Sequence, residues 1–157
     1  MMKKVLSISS LSLFVFILIG CSTNNLSDDS NNIENLGEES EFEENVNELE
    51  DVSIKLNKDT YQSEDDNFEI TVINNSEEEV SYGVDYLLEF KKDEIWYEVE
   101  PEEEPGFVLI LMTLPPGSED TDEINLDFYE PLEEGKYRVV RHIEEEPMTA
   151  EFEVTDK

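Results

Sequence analysis

The sequence has little with which to cross-link itself or attract an anion. It contains one cysteine, Cys21, so no disulfide closes within the chain whatever the redox compartment. Basic residues number 10 against 42 acidic ones, a formal net charge of −32. That sign excludes nucleic acid as a partner, because phosphates require a basic surface. It also repels anionic lipid headgroups, so membrane attachment requires a covalent anchor. The single histidine, His142, would have to serve any Ser–His–Asp triad alone, and a sheet-face histidine is the simpler account of it. H-E-x-x-H, glycine-rich phosphate loop and EF-hand spacings are missing, and no cofactor is expected. The apolar stretch over residues 5–19 is shorter than the about 20 residues of a spanning helix.

What is present begins with that short stretch. Lys3 and Lys4 precede it, residues 11–19 are its densest part, and a small residue, Gly20, closes it, as in a secretory signal peptide. Leu18-Ile19-Gly20-Cys21 resembles the lipobox of bacterial lipoproteins. The resemblance implies that residues 1–20 are removed and that the Cys21 thiol carries a diacylglyceryl group. A small Gly20 gives access to the thiol, and a thiolate is the nucleophile. Two acyl chains hold stably where one is marginal. The membrane is then a partner through Cys21, and the expected location is the bacterial cell envelope, on the outer face of the cytoplasmic membrane.

Residues 21–50 follow as an acidic linker. From Ser22 to Glu50 there are ten acidic residues, no basic one and only isolated apolar residues. Such a composition buries too little surface to offset chain entropy, and a disordered tether is expected. Fully extended it reaches roughly 100 Å. Phe42, Val46 and Leu49 fall at i, i+4 and i+7, a weak helical stripe read here as coincidence in a Glu-rich run.

From residue 51 to 157 the apolar period is two. Val52, Ile54 and Leu56 alternate with polar residues, as do Phe68, Ile70 and Val72. Val80, Tyr82, Val84, Tyr86, Leu88 and Phe90 predict one long strand with a buried face. Lys91-Lys92-Asp93-Glu94 turns it into residues 95–99. Residues 107–114 are apolar on both parities. A strand covered on both faces accounts for them, and so does one whose outer face meets a partner; burial is the expectation. Pro115-Pro116-Gly117-Ser118 fits a type II turn. Residues 124–128, 137–143 and 150–154 alternate again. About eight short strands without a convincing helix predict an all-β antiparallel sandwich.

Leu132-Glu133-Glu134-Gly135-Lys136-Tyr137-Arg138-Val139 resembles the approach to strand F of immunoglobulin-like domains. The resemblance implies a hydrogen-bonded corner at Tyr137, with Val139 where antibody domains carry cysteine. With Tyr61, the Asn74-Asn75-Ser76 turn, Trp96 and the Leu114-to-Gly117 turn, residues 51–157 resemble bacterial Ig-like domains borne on lipoproteins. Tyr86, Trp96 and Tyr137 are the expected core markers. A similar layout occurs in the bacterial intracellular proteinase inhibitors, and the export signal departs from it.

The chemical candidates are few. Glu64-Asp65-Asp66 and the run over residues 119–123, with Asp120 and Asp122, lie in predicted loops and offer hard oxygen ligands for calcium. Neither has the spacing of a calcium loop, solvated acidic turns account for both, and no metal is expected. The expectation is a non-enzymatic binding or structural module, recognising an envelope or extracellular protein through loops or sheet faces. The alternative is a protease inhibitor presenting residues 100–106.

Overall fold

The computed structural model describes residues 35–42, 45–103, 105–107, 110–129 and 131–156. Leu18, Ile19, Gly20 and Cys21 lie outside them. Among the described residues there are eleven strands and no helix. A smaller sheet has the order β2-β4-β9, with β2 over Val52–Leu56, β4 over Asn67–Asn74 and β9 over Ser118–Asn125. The larger sheet runs β1-β7-β6-β10-β11-β3, and β5 and β8 extend it from β10. Here β1 is Leu36–Glu39, β3 Thr60–Gln62, β5 Val80–Gly83, β6 Leu87–Lys92, β7 Ile95–Val99, β8 Leu111–Leu114, β10 Gly135–Ile143 and β11 Glu146–Thr155. All pairings are antiparallel except β3 with β11. This is the expected β-sandwich.

Alternation builds the core. Val52 and Ile54 on β2, Phe68, Ile70 and Val72 on β4, and Ile124 on β9 are buried from the smaller sheet. Leu88, Phe90, Tyr137, Val139, Ile143, Phe152 and Val154 meet them from the larger one. Each such side chain contributes about 1.5–3 kcal/mol. With no disulfide, this burial carries the sandwich. Tyr61, Phe68 and Phe152 pack with centroids 5.2–5.4 Å apart, and the Tyr137 ring stacks on Phe152. The Tyr137 hydroxyl donates to the Glu133 carbonyl at 2.9 Å. Asn74, fully buried, spends its amide on the Glu78 and Leu114 carbonyls and its oxygen on Ser76, which pins the turn read from sequence. Gly117 has φ +68°, as the predicted Pro-Gly turn requires.

Three predicted strands differ from expectation, and the one over residues 124–128 ends at Asn125 in β9. The long strand over residues 80–90 is two, β5 and β6, separated at residues 84–86. Gly83 permits the break, because a Cβ there would lie 2.1 Å from the Asp85 carboxylate. β5 then pairs with β8 and with the end of β10, while β6 lies along the middle of β10. The run over residues 107–114 is a strand only from Leu111, and of its described apolar residues Leu114 is buried while Phe107, Ile110 and Leu111 are not. Leu111 is 71% exposed, Ile110 50% and Phe107 37%. As an edge strand paired with β5 alone, β8 lacks a second neighbour to cover it.

The folded part also begins before residue 51. Residues 36–39, read from sequence as linker, form β1 on the edge of β7. The chain then crosses the outer face of the larger sheet. The Ser40 amide donates to the Trp96 carbonyl, Phe42 meets His142 edge-on at 5.5 Å, and Asn47 exchanges two hydrogen bonds with Thr149. Among the described residues between Phe42 and Leu49 none is helical; Leu49 packs against the core instead. Under this segment lies a buried ion pair. The Arg138 Nε donates to Glu89, its Nη2 donates to Ser40 at 3.1 Å, and its guanidinium lies 4.5 Å over the Trp96 ring. Trp96, expected in the core, is therefore half-buried on the opposite face. It shares that face with Arg138 because its register partner is Lys91, whereas the inward Phe90 pairs with Tyr97.

Four outcomes follow for stability. Arg138→Ala leaves the Glu89 charge buried and unpaired and should cost about 3–5 kcal/mol in denaturant unfolding. A chain begun at residue 51 loses the covering segment and should fall by about 2 kcal/mol; equal midpoints would show that the segment contributes nothing. The β10–β11 turn holds Glu144 at φ 51° and Glu145 at φ 70°. Glu145→Gly should therefore gain about 0.5–1 kcal/mol. Burial raises the Glu98 carboxyl pKa above the glutamate range, helped by Glu100, Glu89, Glu38 and Glu41. A raised folded-state value stabilises below the ordinary range and loses that contribution as pH rises through it. Glu98→Gln should raise the melting temperature at pH 7, and the gain should vanish below about pH 4.

Candidate functional site

The inward parity of β10 reads Tyr137, Val139, Arg141, Ile143, so the strand alternation carries a cation into the space between the sheets. Arg141 is 2% exposed. Its counter-charge comes from β9. Asp120 and Asp122 pair in register with Val72 and Ile70, both fully buried, and therefore face inward. The run over residues 119–123, expected as a solvated acidic turn, is strand. Its inward carboxylates are engaged within the sandwich: the Arg141 Nη1 donates to Asp122 Oδ2 at 2.7 Å, and the Tyr82 hydroxyl donates to Asp120 at 2.6 Å. Among the described residues no three acidic, histidine or cysteine side chains are grouped to hold a metal. Asp65, of the other acidic run, accepts from the Gln62 amide and pairs with Lys58 at 3.6 Å.

The break between β5 and β6 completes the environment of Arg141. The Val84 carbonyl, freed from a ladder, accepts from Nη2 at 3.2 Å. Nε, a further donor of the guanidinium, has no hydrogen-bond partner. Among the described residues it is the one buried side-chain nitrogen or oxygen without a hydrogen bond. A buried donor left unmet costs about 1–3 kcal/mol, so it calls for an acceptor from outside the protein.

Arg141 and Asp122 line an open cleft of about 350 Å³ at this edge of the sandwich. Tyr86, Phe107 and Phe128 supply aromatic wall, and Glu123 and Asn125 supply polar rim. Tyr86 and Phe107 meet edge-to-face at 5.1 Å, and the Tyr86 hydroxyl donates to the Asn125 carbonyl at 3.0 Å. Burial pushes the Tyr86 hydroxyl up to about 12 and outweighs the lowering by Arg141. Burial raises Tyr82 as well, reinforced by its hydrogen bond to Asp120. Both are neutral donors at physiological pH. The arrangement is aromatic wall, a buried guanidinium with one unmet N–H, and carboxylates, the composition of a small-molecule binding cleft.

The other residues singled out from sequence lie elsewhere. His142 is on the outer face against Phe42, away from Asp122 and from the cleft. Tyr137 is in the core and Trp96 is over Arg138. The loop over residues 100–106 is tied at two points, where the Glu100 amide bonds the Asn35 carbonyl and the Glu102 amide bonds that of Phe128. Its Pro105 and Gly106 line the cleft. Arg141 itself escaped the sequence reading. The signal for it was an arginine on the apolar parity of a strand, opposite two aspartates on the apolar parity of another.

The profile of a family described as bacterial Ig-like domain matches residues 48–153, more than half of the chain. No curated protein matches. Among solved structures, an alkylpurine DNA glycosylase of Pseudomonas fluorescens bound to DNA with an abasic site analog is similar at 15% identity and TM-score 0.39, over 67% of this chain and 30% of that one. A β-glucosidase of Erythrobacter marinus is similar at 11% identity and TM-score 0.40, over 66% of this chain and 15% of that one. A β-glucosidase of Listeria innocua in complex with gluconolactone shows 19% identity and TM-score 0.34, over 66% and 16%. The chain spans less than a third of the length of each, and likeness at that level says nothing of what it binds. The two facing sheets and the family profile over residues 48–153 agree: the chain belongs to the bacterial Ig-like domain family.

Proposed function

We propose that the chain is a non-enzymatic binding module of the bacterial cell envelope, anchored by lipid at Cys21, that takes its ligand in the cleft over Arg141. The observation that carries the binding reading is the buried Nε donor with no acceptor, at an open cleft walled by aromatic rings. A module that only filled space would gain by replacing such a group with an apolar one. The non-enzymatic reading is supported by the bacterial Ig-like family profile over residues 48–153. Anchoring is supported by Leu18-Ile19-Gly20-Cys21 and by a net charge that would otherwise repel anionic headgroups.

Anchoring and recognition separate experimentally. Radiolabelled palmitate should enter the wild-type chain in cells and be lost in Cys21→Ala; equal labelling of both overturns the anchor. The Cys21→Ala chain should still co-sediment with isolated cell envelopes. Adding Phe107→Asp, on a residue 37% exposed at the wall, should abolish that. Co-sedimentation unchanged by the second substitution would remove the cleft from recognition.

A further inference from the structure

The edges of the two sheets are defended unequally. An edge strand offers unpaired backbone N–H and C=O groups to any chain alongside it, and charged side chains or extreme shortness ordinarily blunt it. Among the described strands at sheet edges, β1 carries Glu38 and Glu39, β2 carries Lys55, β9 carries Glu119 and Glu123, and β3 is three residues long. β8, Leu111-Met112-Thr113-Leu114, pairs with β5 alone and has no charge.

Its open side can be read from its neighbour. The Glu144 amide donates to the Ser81 carbonyl at 2.9 Å, and the Ser81 amide donates to the Glu144 carboxylate. Ser81 thus spends both backbone groups on the β10 side. Alternation turns those of Val80 and Tyr82 toward β8, where they face Leu114 and Met112. Leu111 and Thr113 are then the β8 residues whose N–H and C=O point away from β5, to the side where no described strand stands. Both residues are exposed. Outward peptide groups on two exposed residues are what a short added strand engages.

Charge restricts what that strand can be. No lysine or arginine occurs between Lys58 and Lys91 or between Lys92 and Lys136. β5 and β8 lie in those stretches, with Glu77, Glu78 and Glu79 before β5 and Glu119 after β8. The Asp85 carboxylate folds against Gly83, the register partner of Leu111, and no described cation pairs with it. A second copy of this chain brings the same acidic surface and is repelled. A lysine or arginine opposite Leu111 covers it with an alkyl stem and carries its charge toward Asp85. We propose that β8 accepts an extended basic segment of another protein as an added strand, its main chain bonded to Leu111 and Thr113 and its cationic side chains over the acidic surround. Residues 110–114 do not line the cleft over Arg141, so this surface is independent of that reading.

The test uses the full chain in non-ionic detergent micelles and follows the Leu111 and Thr113 amides by NMR. The probe is acetyl-Lys-Val-Lys-Val-Lys-Val-amide, compared with its glutamate-for-lysine counterpart and with the lysine peptide N-methylated at every residue. Without peptide both amides should exchange freely with solvent. The lysine peptide should shift both saturably and slow their exchange about tenfold or more. The glutamate peptide, and the N-methylated one that keeps the charges and loses the donors, should each bind about tenfold more weakly. Thr113→Pro removes an N–H that serves no described strand, so the melting temperature should hold while affinity for the lysine peptide falls about tenfold. The N-methylated peptide reads the same contact without altering the chain. Equal binding of the N-methylated peptide, indifference to Thr113→Pro, or binding that leaves the two amides unchanged shows adsorption by charge alone and overturns the added strand. Equal binding of the glutamate peptide overturns the basic partner. Amides protected before peptide is added overturn it too, in favour of a second copy if protection grows with protein concentration and of a lipid-like surface if it does not. No binding of the lysine peptide overturns the proposal and leaves the cleft reading as it stands.

Discussion

A buried guanidinium must be neutralised where it lies, and β10 carries one on each face. Arg138 points out of the sandwich and Arg141 points into it, each 2% exposed. Taking either charge from water is costly unless a partner with good geometry meets it. On the outer face the requirement is met by Glu89 and Ser40, which brings the chain before residue 51 back over the sheet as β1 and its extension. On the inner face Asp122 meets it, which joins the edge strand of the small sheet to the centre of the large one. No disulfide spans the sheets, so these two pairs add direction to a core that is otherwise held by undirected burial.

The two pairs differ in completeness, and the difference falls at the open edge of the sandwich. Arg138 is capped by an aromatic ring and covered by chain. Arg141 sits where the β5–β6 break opens the sandwich edge, and one of its donors is left without an acceptor. Natural domains keep few such groups. The residues around it add aromatic surface and acidic rim. The exposed Phe107 ring lines the same opening, so an accessible aromatic surface and the buried donor without a partner lie together.

Alternation made most of the fold legible. Residues 52–56, 68–72, 95–99, 137–143 and 150–154 show period two in their residues alone, and all are strands. The misreadings share a cause. Residues 80–90 keep one parity across the β5–β6 break, so periodicity cannot see that Gly83 lets the strand change partners. Residues 119–123 look like a solvated turn because every inward residue is an aspartate, and an inward aspartate is legible only once its partner is known. Residues 36–39 look like linker because an edge strand with one neighbour needs little apolar surface. The site was the least legible part, since Arg141, Asp122, Tyr86 and Phe107 come from four separate stretches.

The sequence by itself determined the class of this protein: a β-sandwich of the Ig-like kind, without disulfide and strongly acidic. Parity, turn residues and charge are local properties, and they add up along the chain. Only the tertiary structure decided which face each sheet hides, which aspartate answers which arginine, and that the chain before residue 51 covers the outer face. Those depend on register and on pairing between strands far apart in sequence, where a shift of one residue would exchange the buried and exposed sides.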